Sequence, residues 1–207
     1  MVVIVDYGLG NLMSVLGAVK RLGHEVSVSR DLDQIRNADR LILPGVGAFG
    51  DGMKNLHELG LIDPLNEAVL GQKIPVLGIC LGCQLMAQES WEFGHHQGLG
   101  WVKGSVIKLE VSDKGLKVPH VGWNALSQAK PDVLYRAIPD ESLFYFVHSF
   151  HLKCAEDVVT GVCEYGERFT AAFHKDNIFG TQFHPEKSQL YGLELLKNFL
   201  AGDDHAA

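Results

Sequence analysis

The stretch that most constrains the fold of this 207-residue chain is an apolar run that leads into a cysteine flanked by glycines. Residues 74–77 form a short apolar run typical of a buried parallel strand. They are followed by Gly78-Ile79-Cys80-Leu81-Gly82, and residues 84–89 have a pattern typical of a helix. A sharp turn between a strand and a helix needs small neighbours, because its backbone is strained and closely packed. The sequence therefore predicts a strand, a tight turn at Cys80 and a helix.

Cys80 is the candidate nucleophile at this turn. The predicted helix directs the partial positive charge of its N-terminus at the sulfur, which favours the thiolate. Two other interpretations of the same residues stay open. A buried cysteine is often only a small apolar side chain. Cys80 and Cys83 also form a C-x-x-C pair, which in a βαβ setting is typical of redox proteins.

The first half of the chain alternates strand and helix patterns. Strands are predicted over residues 2–6, 25–29 and 40–43, with a helix that ends near Gly23, a short helical turn over 31–36 and a helical stretch broken near Pro64. Such alternation predicts a parallel sheet with helices on both faces. Ligands of these sheets bind at the carboxyl ends of the strands, where the loops after Leu43 and Ile79 fall.

The second half is richer in strands joined by short turns. They are predicted over residues 101–110, 117–124, 143–150, 158–164, 169–174 and 178–183, before a closing helix over 189–200. No internal repeat or linker interrupts the pattern. The sequence therefore predicts one mixed α/β domain over residues 1–207, with a more antiparallel second half.

The composition narrows the classes of function. A net charge of −7 disfavours an extended nucleic-acid surface. The first apolar run has no basic region before it, which argues against a signal peptide, and no run is long enough to span a membrane. Four cysteines are too few and too irregularly spaced for a disulfide framework. We therefore expect a cytoplasmic protein that binds neither nucleic acid nor a membrane.

The second stretch with chemical potential is Thr181-Gln182-Phe183-His184-Pro185-Glu186-Lys187-Ser188, which lies between a predicted strand and the closing helix. A cysteine nucleophile needs a base, and a carboxylate orients that base. His184 and Glu186 supply this pair, and the proline between them helps to fix the chain. Together with the glycine-flanked cysteine, they predict a Cys80–His184–Glu186 triad.

A third stretch, Pro44-Gly45-Val46-Gly47, follows the strand predicted to end at Leu43. Attack on a carbonyl creates an oxyanion, which backbone N–H groups usually stabilise. The amide of Leu81 can supply one donor, and this loop can supply the other. An ordinary turn would also use these glycines.

These three stretches together resemble the class I (triad) glutamine amidotransferases. Other stretches resemble one branch of that family, the glutaminase subunits of imidazole glycerol phosphate synthases. They are Asp6-Tyr7-Gly8-Leu9-Gly10-Asn11, Lys117-Val118-Pro119-His120-Val121-Gly122-Trp123-Asn124, Tyr145-Phe146-Val147-His148-Ser149-Phe150 and Pro185-Glu186-Lys187-Ser188. The resemblance covers nearly the whole chain and implies a flavodoxin-like α/β fold, with a mixed, mostly parallel sheet flanked by helices.

The resemblance also implies roles for individual residues. Cys80 attacks the side-chain amide of glutamine and releases ammonia, and water then hydrolyses the glutamyl thioester. The oxyanion donors are placed at Val46 or Gly47 and at Leu81. The residues implied to bind glutamine are Gln84, Glu92 (against the α-amino group) and the backbone of Ser149 and Phe150.

The implied partner is a (β/α)8-barrel cyclase subunit, which forms a heterodimer with the glutaminase and receives ammonia through a channel. That subunit makes imidazole glycerol phosphate and aminoimidazole carboxamide ribotide in histidine biosynthesis. The residues that match the subunit interface are Asn11, Pro119, His120, Trp123 and Lys187.

Other functions stay open from the residues alone. A triad amidotransferase of another pathway or a γ-glutamyl hydrolase shares the triad, but the Pro119-to-Asn124 stretch favours the synthase branch. A redox protein explains Cys80 and Cys83 but leaves His184 and Glu186 without a role. No second ligand pair accompanies the two cysteines at zinc spacing, so we expect no metal and no cofactor.

Overall fold

In the computed structural model, which describes residues 1–201, the first half of the chain alternates strands and helices as predicted. The strands pair in parallel and are β1 (Val2–Val5), β2 (Val26–Ser29), β3 (Arg40–Gly45) and β4 (Val76–Cys80). The helices between them are α1 (Leu12–Arg21), α2 (Leu32–Arg36), α3 (Phe49–Glu58) and α4 (Ile62–Asn66), and α4 continues into a π-helical turn (Glu67–Gly71). None of the helices within residues 1–201 has the length and apolar character needed to cross a membrane.

The second half extends the same sheet with antiparallel strands. They are β8 (His120–Gln128), β9 (Ser142–His148), β11 (Val159–Tyr165) and β12 (Glu167–Lys175), and the closing helix is α6 (Gln189–Ala201). β13 (Ile178–Thr181) pairs in parallel with β4 and antiparallel with β12, so it joins the two halves. The nine strands have the order β2-β1-β3-β4-β13-β12-β11-β8-β9. The predicted mixed α/β fold is therefore confirmed.

A second, four-stranded sheet consists of β5 (Ala87–Ser90), β6 (His96–Gln97), β7 (Val102–Lys108) and β10 (Phe150–Cys154). Their order in this sheet is β10-β7-β5-β6. This sheet corrects the helix predicted over residues 84–89, because α5 spans only Leu81–Leu85. Ala87 and Ser90 pair instead with Val102 and Val106 of β7. Pairing with a distant strand thus overrides the local helical pattern.

Two other predicted boundaries also differ. The strand predicted over 143–150 ends at His148, and the chain then enters β10 of the other sheet. The helical stretch before β4 breaks at residues 59–61 and not at Pro64, which lies in the first turn of α4. A proline fits there because the first backbone N–H groups of a helix have no partner within it.

The core lies on both faces of the large sheet. Val3 and Val5 of β1 pack with the α3 and α4 side, whereas Val2 and Ile4 pack with α1 and α6. Strands buried on both faces explain the continuous apolar runs in the sequence. The sheet is thereby held between helices, and its carboxyl edge is left to the loops.

The turn after β4 packs against the backbone of β3. A Cβ added to Gly82 would lie 1.7 Å from the carbonyl oxygen of Leu43, and one added to Gly78 would lie 2.7 Å from the Cα of Cys83. These two positions require glycine because the neighbouring atoms are backbone and cannot rotate away. The spacing Gly78-x-Cys80-x-Gly82 therefore reflects close packing of the turn on the sheet.

We expect Gly82→Ala to lower the free energy of unfolding by about 3 kcal/mol, the upper end of the usual cost of overpacking. Urea denaturation of the isolated chain measures this change. The matched control is Gly17→Ala within α1, where an added Cβ meets nothing within 4 Å. That substitution should raise stability by about 0.5–1 kcal/mol, because alanine has the higher helix propensity. Equal stability of Gly82→Ala and the unsubstituted chain would contradict the packing described here.

Candidate active site

Cys80 has a backbone conformation that is rare for a residue with a side chain. It ends β4 with φ 53° and ψ −111°, and α5 begins at the next residue. Such strain costs of order 1–3 kcal/mol, persists only where the surrounding structure enforces it, and is found mainly at functional sites. The register of the sheet sets Cys80 opposite Gly45 of β3, so the loop with Val46 and Gly47 begins beside the sulfur-bearing turn.

A cavity of about 440 Å³ opens at this turn. It brings Cys80 together with the predicted oxyanion residues and the predicted glutamine-binding residues. Its lining consists of Val46, Gly47, Cys80, Leu81, Gln84, Glu92, Pro119, Val147, His148, Ser149, Phe150 and Lys187. Residues from the parallel strands, the small sheet and the β8–β9 hairpin thus meet at one cavity.

His184 and Glu186 form a buried pair beyond the end of β13. His184 Nδ1 lies 2.8 Å from Glu186 Oε1, and both side chains are almost fully buried. The backbone N–H of His184 donates to the Tyr145 carbonyl at 2.9 Å, and Ser188 Oγ donates to the His184 carbonyl at 2.6 Å. His184 is therefore held both through its ring and through its backbone.

The charge of His184 follows from its neighbours. Burial favours the neutral ring and is the largest single effect, but the Cys80 sulfur and the Glu186 carboxylate together outweigh it and raise the pKa of His184 to about 9. A carboxylate only accepts hydrogen bonds, so Nδ1 carries a proton and Nε2 is the atom free to exchange one. Nε2 is buried and makes no hydrogen bond of ordinary geometry. The site thus favours a protonated imidazole beside the Cys80 sulfur.

A family model described as "Glutamine amidotransferase class-I" matches residues 3–202 of the chain. The chain belongs to the class I glutamine amidotransferases. Similar proteins include "Imidazole glycerol phosphate synthase subunit HisH 1" of Campylobacter jejuni (strain 81-176), which is 50% identical over 96% of this chain and 98% of its own length. The HisH subunit of Moorella thermoacetica is 48% identical over 96% and 93% of the two lengths.

Solved structures agree on the fold of this amidotransferase. One titled "Crystal structure of glutamine amidotransferase" has a TM-score of 0.75 at 20% identity and covers 97% of this chain and 98% of its own. "Structure of PurLQS from Thermotoga maritima" has a TM-score of 0.74 at 18% identity and covers 97% of both chains. Likeness at this level of identity extends to the fold alone.

Two of the residues predicted to bind glutamine in this amidotransferase have clear polar contacts. Glu92 Oε2 accepts a hydrogen bond from the Phe49 N–H at 2.7 Å, and burial raises the pKa of Glu92 although this bond opposes the rise. Gln84 Nε2 donates to the Phe150 carbonyl at 2.8 Å. Its other acceptor is Gln182 Oε1 at 3.0 Å.

Gln182 is a neighbour of the sulfur that the sequence reasoning missed. Its Nε2 lies 3.7 Å from Cys80 Sγ. Gln182 lies in the same stretch as His184 and Glu186, but a neutral amide belongs to no nucleophile–base pattern. Val147 and His148 also line the cavity, although the sequence assigned a role only to Ser149 and Phe150 of the same stretch.

The residues predicted for a subunit interface fall into three groups. Pro119 and Lys187 line the cavity, while Trp123 is 44% exposed on β8 and Asn11 is half-buried where α1 begins. His120 is only 3% exposed and its ring stacks on that of Tyr165. The side chain of His120 therefore offers no surface to a partner. The predicted interface contact at this position can involve only the neighbouring residues of β8.

The alternatives based on Cys83 gain no support from its surroundings. Cys83 is buried, and burial raises its pKa well above the usual range, which opposes a reactive thiolate. The four cysteines are free, and no disulfide joins Cys80 to Cys83. Within residues 1–201, no three His, Cys, Asp or Glu side chains are grouped to hold a metal ion.

The raised pKa of His184 predicts an alkaline limit to glutamine hydrolysis. The ring stays protonated below about pH 9, and above it the enzyme lacks the proton that the departing ammonia must take up. We expect kcat/KM for glutamate release to fall through about pH 9. The substitution Glu186→Gln removes one of the charges that raise the pKa of His184. The alkaline fall of kcat/KM in this variant should therefore occur at lower pH.

The control for this pH profile is Glu25→Gln, which changes an exposed carboxylate elsewhere on the chain. Its alkaline limb should coincide with that of the unsubstituted enzyme. A rate that still rises beyond pH 10, or a limb that Glu186→Gln leaves in place, would contradict the assigned ion pair.

Proposed function

We propose that this chain hydrolyses glutamine with the Cys80–His184–Glu186 triad and delivers the ammonia to a cyclase subunit. The observation that carries the proposal is that a strained, glycine-flanked Cys80 lines the cavity at the same edge of the sheet as the buried His184–Glu186 pair, which follows β13, the strand paired with β4. The chain is a glutaminase subunit of imidazole glycerol phosphate synthase, as its relatives of 45–50% identity over nearly the full length indicate.

The first half-reaction begins with attack of the Cys80 thiolate on the amide carbon of glutamine. The developing oxyanion is stabilised by the N–H of Leu81, which as the first residue of α5 has no partner within the helix. A second donor comes from the loop at Val46 or Gly47. His184 then transfers its proton to the departing nitrogen, and ammonia leaves a glutamyl thioester on Cys80.

The second half-reaction consumes water. His184, now neutral, takes a proton from a water molecule that attacks the thioester, and glutamate leaves as the thiolate is restored. Glu186 accepts the hydrogen bond from Nδ1 of the ring in both steps and keeps the ring oriented. The triad therefore returns to its starting protonation state after each turnover.

Glutamine itself is oriented by the far end of the cavity. The carboxylate of Glu92 binds the α-ammonium group, and its second oxygen stays available because the Phe49 N–H engages only Oε2. Gln84 and the backbone of Ser149 and Phe150 complete the pocket. A substrate must therefore present a cationic group to Glu92 and an amide group to Cys80. This double requirement selects an amino acid with a γ-amide over a simple amide.

We place the partner on the apolar face of the β8–β9 hairpin. Val121, Trp123 and Leu143 are exposed there, and the register pairs Trp123 with Tyr145. Aromatic residues at the centre of an exposed apolar patch are typical of subunit interfaces. This face adjoins the cavity through Val147, which the register sets opposite Val121. The proposed occupant is the (β/α)8-barrel cyclase, and the proposed location of the heterodimer is the cytoplasm.

The test is a coupled assay with the chain, the candidate cyclase, glutamine and the nucleotide substrate. We expect formation of imidazole glycerol phosphate and aminoimidazole carboxamide ribotide. Cys80→Ser should reduce the glutamine-dependent rate by about 1,000-fold or more, because a hydroxyl is a poor nucleophile at neutral pH. With ammonium salts in place of glutamine, the same complex should keep the cyclase rate.

A pair of variants tests the proposed docking face in the same assay. Trp123→Glu places a carboxylate on the proposed face, and Leu70→Glu places one at an exposed apolar position that precedes β4. We expect only the first to weaken association, by roughly tenfold or more. Loss of ammonium-dependent activity in Cys80→Ser, or equal binding by the two glutamate variants, would contradict the proposal.

A further inference from the structure

We propose that Gln182 is a further catalytic residue of this site, whose side-chain N–H group stabilises the Cys80 thiolate before attack and again when the thioester is hydrolysed. The inference rests on the proposed function, since it assigns a role in the same chemistry. Gln182 is uncharged and is not a member of the triad.

Gln182 is placed beside the sulfur by the sheet. Its side chain is 1% exposed, and its backbone N–H donates to the Ala171 carbonyl at 2.8 Å, which continues the pairing of β13 with β12. Nε2 then lies 3.7 Å from Cys80 Sγ, within the range of an N–H···S hydrogen bond. A buried amide is normally hydrogen-bonded, and the sulfur is the partner that Nε2 meets.

The orientation of the Gln182 amide follows from its neighbours. The Phe150 carbonyl can only accept, so the atom of Gln84 that lies 2.8 Å from it is Nε2. The same Nε2 lies 3.0 Å from the Gln182 amide, whose facing atom must therefore be the acceptor Oε1. This leaves Nε2 of Gln182 to face the sulfur. The opposite orientation would set two donors against each other and an oxygen against a thiolate.

Two buried histidines continue this hydrogen-bond network beyond Phe150. His148 Nδ1 lies 3.0 Å from the Phe150 carbonyl and so carries a proton, and His148 Nε2 accepts from His120 Nδ1 at 3.1 Å. Burial lowers the pKa of His120 to about 4 and that of His148 to about 3, so both rings are neutral and hold one tautomer each. These locked rings keep the Phe150 carbonyl, and through it Gln84, in place.

The two states of the sulfur have different partners. A thiol at Cys80 can donate to the Val147 carbonyl, 3.9 Å away, whereas a thiolate is repelled by that oxygen and attracted to the N–H of Gln182. Gln182 does not titrate, so its donor stays present after His184 has given its proton to ammonia. It can therefore stabilise the thiolate both before attack and when the thioester is hydrolysed.

The experiment measures the reactivity of Cys80 directly. Alkylation by iodoacetamide is followed across pH by mass spectrometry of the Cys80 peptide, for Gln182→Met, which lacks the donor, and Gln182→Glu, which replaces it with an oxygen. A charge-assisted hydrogen bond of this kind is worth about tenfold or more in the thiolate population. We expect a midpoint shifted to higher pH by about one unit or more in Gln182→Met and by more in Gln182→Glu, with alkylation slower by about tenfold or more at pH values below the midpoint.

The matched control is Asn198→Leu, which removes another buried amide, one that donates to the Leu134 and Arg136 carbonyls and lines no part of the cavity. Its alkylation profile should equal that of the unsubstituted chain. In parallel, kcat for glutamine hydrolysis should fall in the order of the alkylation rates. A folded Gln182→Met with an unchanged alkylation profile would overturn the inference. If alkylation depends on Gln182 but the unsubstituted complex does not hydrolyse glutamine, the proposed function fails and the donor role stands.

Discussion

The close packing of the turn at Cys80 against β3 is the constraint on which the rest of the site depends. Gly82 lies so near the Leu43 carbonyl that no side chain fits between them, and this contact holds Cys80 at its positive φ. The same contact aligns Cys80 with Gly45. The close approach of Gly82 to Leu43 and the pairing of β3 with β4 therefore set both the nucleophile and the loop that is to bind the oxyanion.

The position of β4 inside the sheet explains why the other groups of the site lie close to Cys80. β4 lies between β3 and β13, and Thr181 of β13 pairs with Ile79. The residues that follow Thr181 must then emerge at the edge where Cys80 lies, which delivers Gln182, His184 and Glu186. Because parallel neighbours share their carboxyl edge, three segments distant in sequence meet at one point. The antiparallel half closes the site from the other side through Val147 and His148.

Local patterns in the sequence were sufficient for the parallel strands and for the convergence of Cys80 with His184 and Glu186, because apolar runs and glycines report on packing that is local to each strand end. β5 could not be found, since its pairing with β7 depends on residues that lie further along the chain. Gln182 carries no charge and belongs to no nucleophile–base pattern, so only coordinates reveal its contact with the sulfur. The burial of His120 likewise depends on which face of β8 meets the core, where Phe146 and Tyr165 stack on its ring.

We expect Cys80, and not Cys83, to form the covalent bond with glutamine. A diazoketone analogue of glutamine alkylates the nucleophile of a site that binds it, and the modified residue can be identified by peptide mass spectrometry of the assembled complex. We expect one adduct per chain, on Cys80, and we expect glutamine to slow its formation. An adduct on Cys83, or modification that glutamine does not slow, would show that the nucleophile is not Cys80.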